Sequence, residues 1–125
     1  MARRILVIED NEDIALVVKT TLMLRQYEVL TASDGVKGIE LARSQQPLDL
    51  IILDVLLPEL DGYQVLRRLK SDPATAATPV ALFSAHMSDA ERREAINLGA
   101  VAVLVKPFEP RQLNRDVGAL LENPR

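Results

Sequence analysis

A handful of charged and polar residues interrupt an otherwise apolar pattern, and their types suit one kind of chemistry. Glu9 and Asp10 follow the apolar run Ile5 to Ile8, and Asp54 ends the run that begins at Leu50. Ser84 ends the stretch PVALFS, and Lys106 follows Val101 to Val105. Singly, each has an ordinary role: a carboxylate capping a turn, a hydroxyl at a strand end, a solvated surface lysine. Together they do not. Three carboxylates about 5 Å apart repel by about 3 kcal/mol per pair at an effective dielectric of about 20, so such a cluster calls for cations. Lys106 supplies one charge. The chain has no cysteine and a single histidine, His86, so the donors are oxygens, which points to Mg²⁺ for the rest.

Composition narrows the alternatives. With 125 residues, 48% hydrophobic and 26% charged, the chain fits one globular domain over residues 1–125 with a sizeable core. A net charge of −3 offers neither a basic footprint for nucleic acid nor a polybasic membrane anchor. No apolar run reaches the roughly 20 residues of a membrane span. Met-Ala-Arg-Arg-Ile passes straight into a strand, so no signal peptide is expected and a cytoplasmic location is the default. The short tail after the last helical pattern predicts no output domain.

The elements that must position these residues alternate in type. Ile5–Ile8 reads as a short buried strand, and Asn11 as the N-cap of a helix with Glu12 and Asp13 in its first turn. Ile14, Val17, Val18, Thr21 and Leu22 fall on that helix's apolar face. Tyr27–Ala32 predicts a second strand and Asp34–Ser44 a second helix, which Pro47 closes. Gly38 inside that helix costs about 1 kcal/mol relative to alanine, with no evident reason. The apolar run from Leu50 suits a strand buried on both faces. Asp61 and Gln64 form a capping box for a helix over Tyr63–Lys70, ended by Asp72-Pro73. Pro79–Ser84 is a fourth strand. Ser88 and Glu91 cap a fourth helix, which Gly99 ends. Val101–Val105 is the fifth strand, and Pro110 opens a helix with Leu113, Val117, Leu120 and Leu121 inward. Five strands alternating with five helices predict an α/β fold, a doubly wound parallel sheet with helices on both faces. Each polar outlier then lies at the carboxyl end of a strand, where such sheets bind ligands.

On ILVIED, LIILDVLLPELDG, Ser84-Ala85 and Lys106-Pro107-Phe108, in that order and at those intervals, the chain resembles the receiver domain of two-component response regulators over nearly its whole length, the single-domain chemotaxis type included. The flavodoxin-like strand order 2-1-3-4-5 comes with the resemblance. So does the expected function, a phosphoacceptor signalling switch in a phosphorelay. Asp54 would accept a phosphoryl group from a phosphohistidine on a sensor histidine kinase or a histidine phosphotransfer protein. Mg²⁺ would be held by Asp10 and Asp54, by Glu9 through water, and by the backbone carbonyl of Leu56. Lys106 would pair with one phosphoryl oxygen and Ser84 with another, drawing in the loop after the fourth strand. Pro107 would follow a cis peptide bond that aims the lysine. Such a protein is not a conventional enzyme: it catalyses its own phosphorylation and its slow autodephosphorylation, then acts on a downstream target protein. A phosphorylation-dependent dimer is left open.

In one respect the chain departs from the family pattern. The residue three before the lysine is usually Tyr or Phe, a ring that rotates inward on activation, and here it is Val103. That departure supports a rival expectation, a receiver-like interaction module that is never phosphorylated, against which the intact Glu9, Asp10, Asp54 and Lys106 weigh. A phosphohydrolase with an aspartate nucleophile typically has a second aspartate two residues on, a position filled here by Leu56. A dinucleotide-binding fold fails for want of G-x-G-x-x-G. His86, two residues past Ser84, falls where the family varies its residue and with it the phosphoryl lifetime.

Overall fold

The computed structural model describes residues 2–106 and 109–122. Strands β1 (Arg4–Ile8), β2 (Glu28–Ala32), β3 (Leu50–Asp54), β4 (Val80–Ser84) and β5 (Ala102–Val105) alternate with helices α1 (Glu12–Met23), α2 (Gly35–Ser44), α3 (Gly62–Ser71), α4 (Asp89–Asn97) and α5 (Pro110–Glu122). All neighbouring strands are parallel, as the alternation of strands and helices predicts, and their order is the β2-β1-β3-β4-β5 that the family resemblance implies. Burial grades from the centre outward. All residues of β3 and β4 are buried, whereas the edge strands β2 and β5 keep exposed positions.

Side chains alternate across the pleat, so the sheet feeds two cores. Leu6, Ile8, Ile51, Leu53, Val80 and Leu82 pack with Val65, Leu66 and Leu69 of α3 and Ala95 of α4. Ile5, Val7, Leu50, Ile52, Ala81 and Phe83 pack with Val18 and Leu22 of α1 and Leu113, Val117 and Leu121 of α5. Two helices therefore cover one face, and α2, α3 and α4 the other. Because β1 lies between β2 and β3, the winding reverses there, and a crevice opens beyond the carboxyl ends of β1 and β3.

Local sequence sets the helix ends. Asn11, Asp34, Asp61 and Ser88 each accept a hydrogen bond from the third residue on, and the boxes with Gln64 and Glu91 close reciprocally. Gly99 follows α4 with φ +110°, the left-handed conformation that lets a helix stop sharply. The Gln46–Pro47 peptide is cis. The bond expected to be cis, before Pro107, lies outside the described residues.

Two points were not anticipated. Val17 is exposed, since Val18, Thr21 and Leu22, with half-buried Ile14, make the inward line of α1 and Val17 sits on its flank. Gly38 has its reason below it: a Cβ there would lie 2.5 Å from Cδ1 of Ile8 and 2.8 Å from its Cγ1. Ile8 is fully buried and immediately precedes Glu9, so α2 can approach β1 only through a residue without a side chain.

Gly38→Ala is therefore expected to destabilise the protein by about 1–2 kcal/mol in urea unfolding, overpacking outweighing the gain of about 1 kcal/mol in helix propensity. Ile8→Val, which removes the nearest carbon, should recover part of that loss. Wild-type stability for Gly38→Ala would contradict this account of the packing.

Candidate functional site

Strand register builds the site. Ile8 pairs with Leu53 across β1 and β3, so the residues that follow, Glu9 and Asp54, leave the sheet side by side. The backbone ladder extends one step further: Glu9 N–H donates to the Ala32 carbonyl at 3.0 Å, Val55 N–H to Phe83 at 3.1 Å and Lys106 N–H to Ser84 at 2.8 Å. Rigid sheet thus holds the roots of the acidic side chains and of the lysine.

Carboxylate oxygens of Glu9, Asp10 and Asp54 all lie within 4.8 Å of one another, near the separation assumed from sequence. Glu9 and Asp54 are buried and Asp10 is exposed, which leaves the cluster open to solvent on one side. Lys106 Nζ donates to Glu9 Oε1 at 2.7 Å and stands 3.3 Å from Asp54 Oδ1. The same nitrogen lies 4.9 Å from the centroid of the Phe83 ring, within range of a cation–π attraction. Burial lowers the Lys106 pKa, but the hydrogen bond to Glu9 and the charges of Asp54 and Glu9 outweigh it, and the net shift is upward. The ammonium form is therefore the one favoured.

The loop from Asp54 to α3 is fixed by close packing. Leu56 N–H donates to Asp54 Oδ1 at 3.2 Å, and Gly62 N–H to the Val55 carbonyl at 2.8 Å. A Cβ at Gly62 would fall 2.5 Å from the Asp54 carbonyl oxygen, so glycine lets the start of α3 press against the backbone that carries the aspartate. Leu56 itself is 79% exposed beside the site. Ser84 lies one residue beyond Phe83, the β4 partner of Asp54, and its hydroxyl donates to the His86 carbonyl at 2.9 Å. The His86 side chain is exposed.

The donors fit a hard divalent cation. They are all oxygens, and one ammonium against three carboxylates leaves two negative charges in excess. Glu9, Asp10, Asp54 and Lys106, singled out from the sequence, are brought together, and Leu56 and Ser84 lie on the loop and the strand beside them. Sequence reasoning missed the preference of Lys106 for Glu9, the ring of Phe83 beneath it, and the close approach at Gly62. Phe83 was in principle within reach, since aligning the two buried strands puts it opposite Asp54.

Residues 5–117 match the response regulator receiver domain family. The transcriptional regulatory protein PhoP of alkaline phosphatase synthesis in Bacillus subtilis is 36% identical over 121 residues, covering 97% of this chain and 49% of PhoP. The chain thus spans about half the length of the curated relatives it matches. The chemotaxis protein CheY4 of Vibrio cholerae superposes with TM-score 0.89 at 28% identity, over 95% of this chain and 98% of that one. The receiver domain of the sensor histidine kinase PA1611 of Pseudomonas aeruginosa, whose structure has a magnesium ion coordinated in the active site cleft, superposes with TM-score 0.88 at 27% identity, over 98% and 100%.

Lys106→Met would leave Glu9 and Asp54 buried and without their ammonium. A loss on the order of 3 kcal/mol is expected in urea unfolding at neutral pH; a loss below about 0.5 kcal/mol would mean that solvent already neutralises the pocket.

Proposed function

We propose, for a chain that belongs to the family of response regulator receiver domains and so acts as a phosphoacceptor switch in two-component signalling, that Asp54 is the side chain that takes the phosphoryl group. The observation that carries this is a buried carboxylate at a strand end with an ammonium 3.3 Å away and two further carboxylates around it. A carboxylate is a competent nucleophile once its charge is offset. An Asp54 oxygen attacks the phosphorus of a phosphohistidine on a sensor kinase or histidine phosphotransfer protein. The P–O bond forms as the P–N bond breaks, and the departing electron pair stays on the imidazole nitrogen, which takes up a proton.

Asp10 and Asp54, with the Leu56 carbonyl and with Glu9 through water, are the groups that would hold Mg²⁺. Bound there, the ion would neutralise phosphoryl oxygens and align the in-line displacement. Lys106 meets one of those oxygens with its ammonium. Ser84 turns its hydroxyl from the His86 carbonyl to another, and the loop after β4 follows. With Val103 in place of an aromatic ring, this loop carries the readout to a downstream target. Hydrolysis reverses the state: water attacks phosphorus, the anhydride P–O bond breaks, and Asp54 and inorganic phosphate are released. Exposed Leu56 beside the acceptor hinders that water.

Docking of the phosphodonor is assigned to the outer side of α1, which begins directly after the acidic pair and exposes Leu16, Val17, Met23 and the adjoining Leu24. The rival reading, an interaction module that is never phosphorylated, rests on Val103 alone and is not favoured beside an intact acidic pocket.

Acetyl phosphate with Mg²⁺ is expected to add one phosphoryl group, read by intact mass, and Asp54→Asn to add none; undiminished labelling of the variant would move the acceptor elsewhere. Leu56→Asn should speed loss of the label severalfold by admitting water. An unchanged decay would remove Leu56 from the control of lifetime.

A further inference from the structure

Of the three helices on one face of the sheet, α3 packs mainly on α2 and β3, and α4 mainly on β5. Between α3 and α4 this leaves a cleft of about 460 Å³. Half-buried Tyr63 and Leu98, which also pack against the core, form its apolar part. Asp61, Glu91 and Glu94 bring carboxylates to it, and Arg67 one guanidinium. Among the described residues no ion pair joins Arg67 to any of these carboxylates. Asp61 and Glu91 each use one oxygen in a helix cap, Oδ1 accepting from Gln64 N–H at 2.9 Å and Oε1 from Ser88 N–H at 3.1 Å, which fixes both groups in the lining. Hydrogen bonds with Ser88 hold Glu91 below the ordinary carboxylate range. Burial, and then the charges of Glu91, Asp61 and Glu94, push the Tyr63 hydroxyl up, so a neutral phenol stands beside ionised Glu91.

We propose that this cleft receives an arginine side chain from an exposed basic segment of a partner protein. Three carboxylates against one guanidinium leave the lining net negative, so the occupant is a cation. A metal ion does not suit it. Among the described residues the acidic trio whose oxygens converge is Glu9, Asp10 and Asp54, while the carboxylates of the cleft come from the cap of α3 and from α4, with an aromatic ring among them. A guanidinium spans such a spread. It is planar, carries five N–H donors that pair bidentately with carboxylates, and stacks on aromatic faces, whereas an ammonium is a compact, strongly hydrated point charge. Tyr63 offers the ring face, Glu91 and Glu94 the acceptors, and Leu98 an apolar surface for the stem of the arginine. The cleft needs no phosphoryl group on Asp54 to be filled.

The test is a titration of the full, unphosphorylated chain with a capped three-residue peptide carrying a central arginine, followed by backbone amide chemical shifts. The shifts should saturate in the millimolar range and centre on residues 61–67 and 91–98. The same peptide with citrulline, which keeps the shape and lacks the charge, should produce none there. Glu94→Gln, an exposed change that leaves both helix caps intact, and Tyr63→Leu, which removes the ring, should each weaken binding about threefold. Tyr63→Phe, which keeps the ring, should bind as the wild type does. Shifts that do not saturate, unchanged affinity in Glu94→Gln, or shifts centred on residues 9, 10 and 54 would overturn the proposal. Equal binding of a lysine peptide would overturn the choice of arginine. Mg²⁺ alone should leave the cleft resonances in place, and cleft shifts that saturate with Mg²⁺ would make it a metal site instead.

Discussion

Two carboxylates, Glu9 and Asp54, are buried at neighbouring strand ends with one ammonium between them, and a third, Asp10, stands at the opening. The excess of negative charge is the constraint on which the rest depends. Isolated, each buried carboxylate would be costly to hold ionised. Parallel strands fix the spacing through backbone hydrogen bonds that the side chains cannot relax, so the repulsion is built into the sheet rather than avoided by rotamer choice. What relieves it must come from outside the acidic set: Lys106, directly after β5, and, on the reading proposed for the site, a divalent ion from solvent.

The remainder of the fold supplies the rigidity. Ile8 and Leu53, the residues just before Glu9 and Asp54, are fully buried and paired. Gly38 lets α2 settle on Ile8, and Gly62 lets α3 settle on the Asp54 backbone. Both glycines exchange helix propensity for proximity. The parts that respond in the proposed function are of a different kind. The backbone of Ser84 belongs to the sheet, but among the described residues its hydroxyl makes one hydrogen bond, to the His86 carbonyl, and Leu56 is exposed, with its N–H on Asp54 Oδ1. A site of this construction keeps the Asp54 carboxylate fixed, and on the function proposed for it the surroundings are what respond.

Much of this was legible in the residues. Buried strands declared themselves as apolar runs, the N-caps at Asn11, Asp61 and Ser88 as side chains with short acceptors, and the site as polar residues where apolar runs stop; Asp34, read as the first residue of its helix, caps it instead. Strand order came with the family resemblance, since spacing alone does not rank β2 against β3 beside β1. The closer approach of Lys106 to Glu9 than to Asp54 was not legible, because it depends on how side chains from the ends of β1, β3 and β5 meet over the Phe83 ring. The exposure of Val17 was missed because helical period admits a wider stripe than α1 buries. Gly38 gave no sign of its purpose until Ile8 was found beneath it.

If excess negative charge organises the site, the protein should bind Mg²⁺ through it and be stabilised by doing so. The direct measurement is the melting temperature of the unphosphorylated chain against Mg²⁺, beside NaCl at matched ionic strength. Tenfold excess over the dissociation constant contributes about 1.4 kcal/mol, a rise of roughly 4–6 °C for a domain of this size, and Asp10→Asn should lose most of it. A rise no greater than that in NaCl, or one undiminished in Asp10→Asn, would contradict the account.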